Sequence, residues 1–216
     1  MRQIALPLSL ASGSPERIVV GNANAAVFEA LEQPGTWPFR TAILTGPARS
    51  GKSLIVRWFT ASGLGEAVDD AEQVDEAELF HRWNRAQQSG TPLLIVANRP
   101  RGEGEGFWQV RLPDLASRLG AALDLVIGPP DDAMMAELIL LHAELRGLVL
   151  DDSATAYLVG RCERSHLGAQ RLVETIDRLS LERKQAPTMA IWRDALAELR
   201  GGEWGQLSLP LAKKAD

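Results

Sequence analysis

The sequence holds one cysteine, one tyrosine and three histidines in 216 residues. A single thiol, Cys162, cannot close an internal disulfide, so the cysteine count gives no sign of an oxidising compartment. His81, His142 and His166 stand at no metal-ligand spacing from one another or from Cys162. No G-x-S-x-G elbow is present, which removes one common signature of a serine hydrolase. Basic residues are outnumbered, 23 against 28 acids, for a formal charge of −5. That balance argues against binding nucleic acid by neutralising its phosphates. Long apolar runs are missing as well. The opening MRQIALPLSL is broken by Pro7 and is too short for a signal h-region, and no stretch approaches a membrane span. A soluble, cytoplasmic protein is expected.

What is present is ordinary for a globular chain: 45% hydrophobic and 24% charged residues, enough for one large core or two small ones. Strand-like runs TAILT (41–45), PLLIVAN (92–98) and DLVIG (124–128) alternate with helical patterns at 53–61, 75–89 and 113–120. That alternation predicts an α/β fold with a parallel sheet and crossover helices. After Gly128-Pro129-Pro130 the texture changes to four amphipathic helical segments at 131–146, 151–163, 165–185 and 188–200. Asp131 and Asp151 stand where N-caps belong. The Pro-Pro pair therefore reads as a hinge between an α/β part and an all-helical part, followed by a loop-like tail from Gly201.

The strongest local signal lies between the first strong strand and the helix after it. GPARSGKS matches G-x-x-x-x-G-K-[ST] in the strand–loop–helix context that the motif requires. Gly46, Pro47, Ala48, Arg49, Ser50 and Gly51 would curl their backbone N–H groups around phosphates, with Leu54 in the first turn of the helix. Lys52 would reach the β- and γ-phosphates, and the Ser53 hydroxyl would bind Mg²⁺. Four further residues read two ways. Asp69 and Asp70 follow a short apolar pair, Ala67-Val68. They are either a metal-holding acid and a water-polarising acid, or two acids on a solvated loop. Asn98 ends a buried strand, as a residue that positions water or a phosphate or as a simple turn residue. Arg118 sits near the end of a short helix, where spacing alone favours a solvated helix-end charge.

Around these motifs the sequence resembles the DnaA-related branch of the AAA+ ATPases, and within it the Hda-like regulators, over about residues 3–199. LPDLASRLG (112–120) is similar to the arginine-finger box of that family and implies Arg118 as the finger. LLIVANRP (93–100) resembles the sensor-1 strand, with Asn98 as sensor 1. IVVGNANAAVFEAL (18–31) is similar to the N-terminal box that wraps the adenine, where Ile18 and Val19 would supply apolar contacts. The helices after Pro130 resemble the AAA+ lid. There Gln170 falls where the sensor-2 arginine is expected, with Arg171 beside it. QLSLPL (Gln206, Leu207, Leu209, Pro210 and Leu211) resembles the peptide by which Hda-like proteins dock on the DNA polymerase III β sliding clamp. QIALPL (Gln3, Leu6 and Leu8) is a looser copy near the other end. Physically, a glutamine anchor and spaced leucines suit an apolar groove.

The resemblance implies a reduced AAA+ core, because only a short stretch separates Lys52 from Asp69 where DnaA carries a further strand and helices that contact single-stranded DNA. No helix-turn-helix domain follows the lid, so sequence-specific DNA binding is not expected. The implied organisation is a tail with a clamp motif (1–15), a nucleotide-binding core (16–128), a helical lid (129–200) and a second tail with a clamp motif (201–216). The implied ligands are ADP or ATP with Mg²⁺. The implied partners are DnaA, the clamp and a second copy in a homo-oligomer. A complete phosphate loop beside an incomplete catalytic set implies weak or no hydrolysis alone and stimulation of DnaA-bound ATP hydrolysis in trans. A stand-alone P-loop ATPase or kinase, and a clamp-binding adaptor with a vestigial nucleotide site, are the rival expectations.

Overall fold

Thr41–Thr45 (β3) is buried at all five positions, which no amphipathic strand could sustain. A run of this kind needs partners on both edges and cover on both faces. In the computed structural model, which describes residues 2–5, 17–102 and 106–205, it has both. β3 lies between Leu93–Val96 (β5) and Leu123–Val126 (β6), parallel to each, and Glu66–Val68 (β4) adds to the far edge of β5. The order is β4-β5-β3-β6. Arg2–Ala5 (β1) and Arg17–Val20 (β2) form a separate antiparallel pair, with Gln3 opposite Val19 and Ile4 opposite Ile18.

The residues fall into two units, 1–134 and 135–216. In the first, the strands connect through Lys52–Ala61 (α2), Glu76–Ser89 (α3) and Pro113–Gly120 (α4), after an opening helix Ala25–Leu31 (α1). Ile43, Leu93 and Ile95 share a buried core with Leu79, Trp83 and Ala86 of α3 and Leu115 and Leu119 of α4. The alternate strand residues Ala42, Leu44, Leu94 and Val96 are buried too, as a sheet covered on both faces demands. Trp37 stacks on the fully buried Phe59 of α2, with ring centroids 5.7 Å apart. α2 passes into β4 through residues 62–65 alone, so no strand is inserted there and the sheet has four strands.

The turn into β3 is strained. Phe39 and Arg40 are consecutive non-glycine residues at φ 50° and 47°, each in the left-handed region. Gln87 holds the turn by donating from Nε2 to the Phe39 carbonyl (2.7 Å), and Arg40 donates to the Gly90 carbonyl.

Asp132–Leu145 (α5) begins in the first unit and runs into the second, whose remaining elements are Asp152–Val159 (α6), His166–Arg183 (α7) and Met189–Gly205 (α8). Caps fix two of the starts: Asp151 accepts from the Ala154 N–H (2.7 Å) and Ser165 from the Gly168 N–H (2.8 Å). The sequence reading ends the last helix at Arg200, but α8 continues through Gly205. An existing helix adds one hydrogen bond per residue without a new nucleus, and this carries it across glycines that would not start one. Phe59→Ala leaves an aromatic-sized hole beside Trp37. We expect a loss of about 3–5 kcal/mol in urea unfolding, with the slope unchanged.

Candidate functional site

At the carboxyl end of β3 the chain turns through residues 46–51 and enters α2. Arg49 and Gly51 take left-handed φ values of 63° and 86°, which let the loop curl before the helix begins. Gly46 allows the closest approach: a Cβ there would meet Ile127 Cβ at 2.8 Å. Pro47, Ala48 and Arg49 are exposed, whereas Ser50 is buried and its Oγ has no hydrogen-bond partner. Ser53 is exposed on the first turn of α2, and Leu54 is half-buried.

Lys52 is 93% buried, with only 7% of its surface exposed. Its ammonium donates to the Gly46 and Pro47 carbonyls at 2.9 and 3.0 Å. Burial pushes its pKa below the ordinary value of 10.5, while the carboxylates of Asp69, Glu72 and Asp70 pull the other way. The loop lysine and the acids after β4 therefore form one electrostatic group. Within it, Asn98 donates from Nδ2 to Asp70 Oδ1 (2.7 Å), and its backbone N–H donates to both Glu72 oxygens (2.9 and 3.1 Å). Asp69 Oδ1 accepts from the Asp70 N–H at 3.0 Å, and Asp70 itself sits at φ 47°. Beside Glu72 and Asn98 opens a cleft of about 560 Å³, walled by Arg99, Phe107 and Trp108.

Thus Lys52, Asp69, Asp70 and Asn98 are brought together, and Glu72 joins them. Sequence reasoning missed Glu72, because one glutamate among many acids carries no mark until Asn98 is folded against it. Arg118 belongs to another group: it is half-buried, with its guanidinium carbon 4.3 Å from the Trp83 ring centroid and 5.0 Å from that of Phe80. No carboxylate among the described residues pairs with it. Such cation–ring contacts are worth roughly 1 kcal/mol at partly exposed sites. Ile18 and Val19 are buried on β2, with the Val19 carbonyl taking the Asn24 side-chain N–H at 2.9 Å. In the second unit, Gln170 donates to Glu174 Oε1 (2.8 Å), which also receives Arg146 (2.8 Å), and Arg171 is exposed. The backbone of Gln3 is paired in β1. Leu6, Leu8, Gln206, Leu207, Leu209, Pro210 and Leu211 lie outside the described residues.

Several features fit a phosphate group. The loop is open, its helix start supplies backbone N–H groups, one buried hydroxyl is orphaned, and the lysine rests on carbonyls it could exchange for phosphate oxygens. No group of three or more His, Cys, Asp or Glu among the described residues could hold a metal ion alone. No helix among them is long and apolar enough to cross a membrane.

No family model matches the sequence. Solved structures do. Domain III of the replication initiation protein DnaA from Thermotoga maritima superposes with a TM-score of 0.65 at 15% identity, covering 84% of this chain and 94% of that one. AMPPCP-bound DnaA from Aquifex aeolicus gives 0.54 at 16%, over 77% of this chain and 66% of that one. The RuvB Holliday junction branch migration motor of Thermotoga maritima gives 0.58 at 18%, over 84% and 70%. The fold is that of the AAA+ nucleotide-binding domains.

Lys52 also yields a stability test. Between its lowered pKa and 10.5 the unfolded chain binds a proton that the folded chain lacks, so stability rises with pH across that window. Below the window the fold carries the whole cost of a buried ammonium. Lys52→Met removes that cost at similar length. We expect a melting temperature at pH 7 equal to or above that of the wild type, and a smaller alkaline rise. A fall of several degrees would mean that the bonds to Gly46 and Pro47 hold the loop together.

Proposed function

We propose that the chain is an Hda-like negative regulator of chromosomal replication initiation. It binds ADP or ATP with Mg²⁺ at the loop of Lys52, docks on the polymerase III β sliding clamp through a terminal peptide, and promotes hydrolysis of DnaA-bound ATP. The observation that carries this reading is a split: Lys52, Asp69, Asp70 and Asn98 are grouped, while Arg118 is seated on the Phe80 and Trp83 rings and pairs with no carboxylate among the described residues. Beyond the loop lysine and Mg²⁺, an arginine at the transferring phosphate raises the rate of hydrolysis by orders of magnitude, whether supplied in cis or in trans. A regulator acting in trans presents that cation to a neighbour.

In this reading Lys52 and the loop amides hold the nucleotide phosphates. Ser53 and Asp69 are the groups that would hold Mg²⁺, whose charge neutralises the phosphate oxygens. Asp70 and Asn98 address the terminal phosphate, and Ile18 and Val19 lie on the strand that the adenine would follow. By the resemblance to the AAA+ lid, Gln170 stands at the sequence position of the sensor-2 arginine and is neutral, and Arg171 beside it is exposed. That combination fits slow turnover alone. At the partner's ATP, water attacks the γ-phosphorus, the bond to the β–γ bridging oxygen breaks, and Arg118 offsets the charge gathered on the departing ADP and phosphate. AMPPCP in a structural relative supports the choice of an adenine ligand.

Steady-state ATPase tests the reading, with this chain alone, with DnaA, and with DnaA plus DNA-loaded clamp. Stimulation is expected only when DnaA is present. It should vanish in Arg118→Ala at a melting temperature within a few degrees of wild type. Lys52→Ala should abolish adenine-nucleotide binding in calorimetry. Rapid turnover alone would instead favour a P-loop ATPase or kinase, and unchanged nucleotide affinity in Lys52→Ala would remove the loop from the mechanism. Clamp pull-down should weaken when Gln206 and Leu209 become alanine, and fail when Gln3 and Leu6 are changed as well. Full clamp binding by that quadruple variant would refute the docking claim.

A further inference from the structure

Glu76, Phe80 and Trp83 recur at i, i+4 and i+7 on α3 and so share one face. That face grips α4 at both ends. The Glu76 carboxylate accepts the backbone N–H groups of Arg111 (2.9 Å) and Leu112 (2.6 Å), which lead into α4 at Pro113. One helical stretch later, Arg118 lies over the Trp83 and Phe80 rings. Between the two grips, Leu115 and Leu119 are fully buried in the core that contains Leu79 and Trp83.

We propose that Glu76, Phe80 and Trp83 are positioning residues that fix where the Arg118 guanidinium stands, so that it meets an anionic phosphoryl group on a partner without first being ordered. This rests on the reading of Arg118 as a group acting in trans. The physics is that of a planar cation. An aromatic ring occupies its face and leaves the in-plane N–H donors for acceptors in that plane, which suits phosphate oxygens. The carboxylate clamp sets where α4 starts, and hence how far along α3 the guanidinium lands. A shift of about 1 Å in such a group is enough to cost about 100-fold in rate.

Phe80 is the position to change, because it is half-buried whereas Trp83 belongs to the core. The full chain would be compared with Phe80→Leu, Phe80→Tyr and Arg118→Ala by two readouts. The first is the Arg118 Nε–Hε resonance in ¹H–¹⁵N spectra, assigned by its loss in Arg118→Ala. Ring current should shift it upfield in the wild type and in Phe80→Tyr, and the shift should shrink in Phe80→Leu. The second is hydrolysis by ATP-loaded DnaA at saturating and half-saturating amounts of this chain. Phe80→Leu should lower the saturated rate about tenfold, leaving the half-saturating concentration and melting temperature near wild type, and Phe80→Tyr should restore the rate. A purely structural role would move the melting temperature and leave the saturated rate intact.

An unshifted Arg118 resonance in the wild type would overturn the seat. Full stimulation by Phe80→Leu, while Arg118→Ala has none, would overturn its positioning role alone. Full stimulation by Arg118→Ala would overturn the trans reading and this role with it, and a shifted resonance would then mark the seat as a mere staple for α4.

Discussion

Everything at the candidate site depends on β3 being hydrogen-bonded along both edges while all five of its residues are buried. That double pairing continues past the strand ends: Ala97 donates to the Leu44 carbonyl (3.0 Å) and Ile127 to the Thr45 carbonyl (2.8 Å). Three chain segments therefore leave the sheet at one level. Gly46 begins the loop there, Asn98 follows Ala97, and Ile127 closes on Gly46 so tightly that a methyl group would not fit. Open parallel sheets place ligand sites outside the carboxyl ends of their strands. Here the side-chain cluster is a direct result of register.

The same edge gathers acids, and most of them are occupied with backbone N–H groups. Glu72 holds Asn98, Asp75 caps α3 through Ala77 and Glu78, and Glu76 holds the entry to α4. Charge-assisted bonds of this type are shorter and stronger than neutral ones, so three segments are tied to the short run from Glu72 to Glu76. Lys52 faces part of this charge from inside the loop. Burial and attraction oppose each other at its ammonium, and burial has the larger effect.

Periodicity and one motif made most of the fold legible. The buried runs at 41–45 and 93–97 have no helical alternative once the glycine-rich turn and the Ser89-Gly90 stop are noticed, and α4 has the bounds that its proline and glycine suggest. β4 was harder to see. Three residues, one of them exposed, leave almost no pattern, and the strand exists because the β5 edge offers it a ladder. The far end of α8 was misread because glycine propensity was weighed without the helix that precedes it. Lys52 could be found from spacing alone. The partners of Asn98 and Arg118 could not, since 26 to 28 residues separate Asn98 from Glu72 and Asp70, and the seat of Arg118 lies one crossover earlier. Local pattern names the residue, and only the crossover names its neighbour.

The left-handed pair Phe39–Arg40 depends on residues far along the chain. Two bulky residues in that conformation carry strain of the order of 1–3 kcal/mol each, and Phe39 leaves 58% of its surface in water. The bonds that hold them come from Gln87 and Gly90, 48 and 50 residues further along. Without α3 in place neither of those two bonds exists, and they no longer offset the strain of the left-handed pair. The corner is thus a latch that closes from the far side. Each of those bonds closes a loop of about 50 residues, so the support of this corner is a property of the folded unit and not of the local sequence.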